Sequence, residues 1–149
     1  MTTQVSNPLT LVMNIKSPQD FLELQKLLME ISAKPPGQNP IDNALTKIGT
    51  VHFARFVFLS ETQLAVITSY DGDFVQYIQA FTDELGDIFD ALLSHMSNPP
   101  PLPVKANLKP FLEYIMINDR SRINGELAPL YSAYPELTVV DILGCKQTG

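Results

Sequence analysis

Tryptophan is absent, and cysteine and histidine are nearly so: the 149 residues include no Trp, one Cys (Cys145) and two His (His52 and His95). A lone cysteine cannot close an intrachain disulfide, which fits a reducing compartment and leaves the core to hold the fold. A structural zinc site of the usual kind needs four Cys/His ligands, and the chain has three such residues in all. Charge is scarce as well. Charged residues make up 17% of the chain, against about 25% in an average domain. Ten Lys and Arg against 16 Asp and Glu give a net charge of -6. The basic residues form no run. Nucleic acid and anionic membrane surfaces are therefore not expected partners. No apolar stretch approaches the roughly 18 residues of a membrane span, and residues 1–8 lack the basic-then-apolar pattern of a secretory signal. The expectation is one cytoplasmic domain over residues 1–149, large enough to bury about two-thirds of its unfolded surface.

Apolar patterning supplies the elements. Residues 9–15 read as a strand. Ser17-Pro18 has the form of a helix start, with Ser as cap and Pro in the first turn, and Phe21, Leu24, Leu27, Leu28 and Ile31 recur at helical spacing. The Pro- and Gly-rich stretch 34–40 stops that helix. Residues 41–48 can add one or two turns, capped by Asn39. Residues 51–59 and 64–70 read as two strands of a hairpin around Ser60–Gln63. Both carry apolar residues on each face, so both sheet faces are expected to be covered. Asp73 caps a long helix striped by Phe74, Tyr77, Ile78, Phe81, Leu85, Ile88, Phe89, Leu92 and Met96. Residues 98–103 break it. Residues 106–120 suggest a further helix, and residues 137–143 a last strand. Cys145 falls in a tail with no base nearby in sequence, so it is not expected to be catalytic.

With the stretch 97–136 set aside as a helical insertion, this order is the βαββαβ ferredoxin-like pattern of the α+β class: two helices on one face of a four-stranded antiparallel sheet. A second copy packing sheet to sheet would cover the other face, so a homodimer is expected.

His52-Phe53-Ala54-Arg55, then Tyr70-Asp71-Gly72 and a long helix ending near His95, resemble an uncharacterised bacterial family of the dimeric α/β-barrel superfamily. The resemblance spans about residues 9–96 and 137–143. It implies a cavity between sheet and helices. In active members that cavity holds haem or an organic substrate, as in cofactor-free monooxygenases, dye-decolourising peroxidases and chlorite dismutases. Of the Gly-x-x-Asp-Gly signature of the peroxidases, the chain keeps only Asp71-Gly72.

The candidate site residues follow. A hairpin turning symmetrically between Glu61 and Thr62 pairs residues whose numbers sum to 123, which places His52 beside Asp71. A carboxylate that orients an imidazole suits a general base or a metal-bound His; the plainer reading is a polar pair closing the end of the sheet. Arg55, opposite Thr68 in that register, is an anion anchor or one half of an ion pair. Tyr70, with Tyr77 and Tyr114, lines a pocket or fills the core. His95 is a haem-iron ligand or a polar group favoured at a helix C-terminus. Asp83, Glu84, Asp87 and Asp90 read as a solvated acidic face. Two functions from different classes stand: a small-molecule-binding domain, extending to an oxygenase-like enzyme, with His52, Asp71 and Arg55 at its polar mouth; or a non-catalytic dimerisation module whose cavity is filled by its own aromatics; a haem-binding, peroxidase-like protein is a further alternative.

Overall fold

The structure is a computed structural model and describes residues 4–148. It belongs to the α+β class. The Val- and Phe-rich hairpin forms as expected, with β2 (Val51–Ser60) antiparallel to β3 (Gln63–Asp71). β1 (Ser6–Asn14) pairs antiparallel along the other side of β3. The order is β1-β3-β2, so β3 is central. β1 begins ahead of its apolar run and includes Pro8. An edge strand tolerates that residue because its outer side needs no ladder donor.

The helices start where side chains can satisfy their free amides. Ser17 Oγ accepts from the Asp20 amide at the head of α1 (Pro18–Ser32). Asn39 accepts from Ile41 and Asp42 at the head of α2 (Pro40–Ile48). Asp73 accepts from Gln76 at the head of α3 (Phe74–Leu93). α2 ends on Gly49 at φ 76°, a left-handed conformation that glycine adopts without a Cβ clash. α4 (Leu108–Asn118) follows a short 3₁₀ turn.

One face of the sheet carries the core. Leu9, Leu11 and Met13 of β1 and Leu64, Val66 and Tyr70 of β3 pack with Ile78, Phe81, Leu85, Phe89 and Leu92 of α3. Leu24 of α1 and Phe111 and Ile115 of α4 complete it. Each such side chain contributes roughly 1.5–3 kcal/mol by leaving water. Phe81 and Phe89 meet edge to face at 4.7 Å. Tyr70 stacks on Tyr77 at 4.1 Å, and the Tyr77 hydroxyl donates to Thr68 Oγ1 at 3.0 Å.

Two expectations change. First, the sheet of β1, β3 and β2 has three strands, not four, and no barrel closes. The expected last strand, 137–143, instead leads into a helix, α5 (Val139–Thr148). A reciprocal cap decides this: the Thr138 amide donates to Asp141 Oδ2, and the Asp141 amide donates to Thr138 Oγ1. The Thr138 amide, followed by its hydroxyl, holds the Asp141 carboxyl below its ordinary value. A short apolar run such as LTVVDIL does not by itself tell strand from helix. Beside β1, where a fourth strand could pair, the described residues make isolated bridges instead, Leu11 with Asp119 and, just past the strand's end, Ile15 with Met96. The Arg120 amide donates to Thr10 O, and Asp119 Oδ1 accepts from the amides of Thr10 and Ser121. A two-stranded hairpin follows, β4 (Arg122–Ile123) with β5 (Glu126–Leu127).

Second, the β2–β3 register slips twice, with irregularities between Phe58 and Ser60 and between Val51 and Phe53. Arg55 therefore faces Ile67 rather than Thr68. His52 is the extra residue at the second irregularity, a β-bulge that re-aims its side chain.

Burial pushes the Tyr70 phenol up to about 12 and Tyr114 likewise to about 12, and it raises Tyr77 further still. Folding thus favours their neutral forms. The stability they confer is complete below the ordinary value of 10 and is lost as pH rises from there through about 12. In an alkaline titration followed by tyrosinate absorbance, these three of the five tyrosines should ionise last and together with unfolding. Ionisation of all five in a still-folded protein would contradict this packing.

Candidate functional site

The bulge at His52 and the first residue of β1 converge on the last residue of β3. Asp71 Oδ1 accepts from His52 Nε2 at 2.6 Å and from Ser6 Oγ at 3.1 Å. Ser6 Oγ also lies 3.0 Å from His52 Nε2. Asp71 Oδ2 accepts from the Val139 amide at 2.7 Å, at the first turn of α5. The His52 and Asp71 side chains retain only 5% and 8% of their exposure. A carboxylate this buried needs its bonds, and it has three donors.

The arrangement dictates the imidazole's tautomer. Nε2 carries the proton given to Asp71, so Nδ1 of the neutral ring keeps its lone pair. Among the described residues Nδ1 makes no hydrogen bond, and the buried polar atoms without a partner are two others, Asp119 Oδ2 and Arg122 Nε. Ser6 and Asp71 share one ring nitrogen. A Ser-His-Asp triad needs them on opposite nitrogens, so this cluster does not activate Ser6 as a nucleophile. It presents one oriented acceptor.

That acceptor belongs to a ring bordering two cavities. The larger, about 670 Å³, lies between α2, the start of β2 and α5, with Leu45, Thr46, Val51, Phe53, Tyr134 and Ile142 in its wall. The smaller, about 160 Å³, is bounded by Ser6, Ser69 and residues 130–134. The ring of Tyr134 lies 5.8 Å from that of His52. Comparison with protein-family models, with curated proteins and with solved structures finds no match.

The residues singled out from sequence separate into distinct places. His52 and Asp71 meet. Arg55 is exposed and makes no ion pair or hydrogen bond among the described residues; it borders a different cavity, about 440 Å³, with Phe56 and Phe58. Tyr70 is buried in the core on the helical face and lines none of these three cavities. His95 follows α3 and bonds through Nδ1 to Asp20 Oδ1 at 2.8 Å. It too lines none of the three cavities, so its position does not suit a haem ligand aimed into a pocket. Of the acidic residues on α3, Glu84 pairs with Lys47 at 3.1 Å and Asp90 accepts from the Val104 amide, while Asp83 and Asp87 are exposed.

Sequence reasoning missed Ser6, Tyr134 and the Val139 amide. Extending β1 back through Pro8 would have placed Ser6 opposite Asp71. Nothing local points to the other two.

Replacing Asp71 by Ala strands three donors and should destabilise the fold by roughly 2–4 kcal/mol. It should also speed amide exchange at Val139 and along the first turn of α5. Urea unfolding and hydrogen exchange test this; an unchanged midpoint with unchanged Val139 protection would show that the carboxylate does not hold these segments.

Proposed function

We propose that the protein is a small-molecule-binding domain whose ligand occupies the cavity of about 670 Å³ and donates a hydrogen bond to His52 Nδ1. The imidazole fixed by Asp71 in a largely apolar cavity wall carries this reading. An apolar pocket with a few convergent polar groups is the usual form of a ligand site. The matching ligand is a compact apolar molecule with one N–H or O–H donor. Catalysis of an oxygenase-like kind would begin with His52 removing that proton; binding needs only the acceptor. The crossover from β1 through α1 to β2, with β3 inserted between the two strands, supports a ferredoxin-like ancestry for the scaffold.

A panel of phenols and small amides, followed by amide shifts in two-dimensional NMR, should perturb Val51, Tyr134 and Ile142. His52→Ala should weaken a hit by about tenfold. Arg55→Ala, in another cavity, should leave it unchanged. Perturbation confined to other regions, or equal affinity in His52→Ala, would refute the site.

Homodimerisation is the second reading, and one feature favours it. β2 is an edge strand, and residues 51–60 make no backbone hydrogen bond beyond the sheet among the described residues. Its Phe53 is 71% exposed. An open apolar edge is a template for another strand. Light scattering at micromolar concentration should show a dimer that Phe53→Lys dissociates; a monomeric parent protein would remove this reading.

A further inference from the structure

We propose that Asp20, Glu23 and His95 form a binding site for a divalent ion of the zinc class, separate from the His52 cavity. Asp20 and Glu23 stand one turn apart on α1, and His95 lies just beyond the end of α3. One ligand atom from each falls within 4.8 Å of the others. His95 Nδ1 is 2.8 Å from Asp20 Oδ1 and 3.5 Å from Glu23 Oε2. Zinc bonds of about 2.0–2.1 Å at tetrahedral angles place ligand atoms roughly 3.3 Å apart. The two separations from His95 lie on either side of that value, and the Asp20–Glu23 pair closes the triangle within 4.8 Å.

The two arms are held in place by backbone bonds. The Lys16 amide donates to His95 O at 2.9 Å, the Ser97 amide donates to Asn14 O at 2.8 Å, and Ile15 bridges to Met96. Asp20 is oriented by Ser17, whose hydroxyl donates to Oδ2 and leaves Oδ1 toward His95. The nearby cation, Lys16, donates its Nζ to Ser94 O at 3.2 Å. Ligands preset by a rigid frame and a second layer of bonds are what metal affinity requires.

One imidazole and two carboxylates suit Zn²⁺ better than the all-oxygen preference of Ca²⁺ or Mg²⁺. Three protein ligands leave a tetrahedral position for water. On binding, Nδ1 gives up the proton it shares with Asp20, either to Nε2 or to solvent, and offers its lone pair to the ion. The ion would then staple the start of α1 to the end of α3.

Calorimetric titration of the full chain with Zn²⁺ should show one ion per chain and a raised melting temperature. His95→Ala should abolish binding. Glu23→Gln, at an exposed position that leaves the fold intact, should weaken it by roughly tenfold or more, the least that loss of even an outer-layer partner costs. His52→Ala should bind as the parent does. Absence of binding, or binding that survives both His95→Ala and Glu23→Gln, would overturn the proposal. Should His95→Ala fail to fold, Glu23→Gln decides alone.

Discussion

The carboxylate of Asp71 joins segments that the chain keeps far apart. One oxygen takes donors from β1 and β2, through Ser6 and His52, and the other takes the first amide of α5. A charge in a low-dielectric setting is tolerated only when its lone pairs are used. Asp71 meets that condition by drawing in the end of the sheet and the C-terminal helix together. The cavity beside His52 exists because α5 is held there. None of residues 139–144 is fully buried, and the cap and this anchor fix the start of the helix.

The sheet treats its two edges differently. At β1, Asp119 supplies a substitute for a missing strand: its side chain takes the Thr10 amide while the Arg120 amide reaches Thr10 O. Asp119 is buried, and its other oxygen lies 3.3 Å from Arg122 Nε, whose guanidinium covers the Phe74 ring. At β2 the edge stays open, with Phe53 and Leu59 exposed.

The two histidines show how context divides like groups. Each touches a carboxylate. His52 is enclosed, lines a cavity, and is positioned by a bulge. His95 is partly exposed between two acidic residues of one helix. The first borders a cavity, and the second places three ligand-type atoms within 4.8 Å of one another.

Much of the scaffold was legible in the residues. Ser17, Asn39 and Asp73 announce three helices because a capping side chain acts within three residues of its target. The hairpin and the stripe on α3 follow from periods of two and 3.6, again local properties. The meeting of His52 with Asp71 was also legible, though through a symmetrical register the chain does not keep; a bulge restores the contact. What the sequence by itself determined was the helix starts, the hairpin and the apolar face of the core. Tertiary structure alone decided that the 139–148 helix docks on Asp71, that Tyr70 is core, and that Tyr134 and Arg55 fall where they do. Those outcomes turn on contacts between residues tens of positions apart, whose cost in chain entropy is met only when the whole sheet has formed.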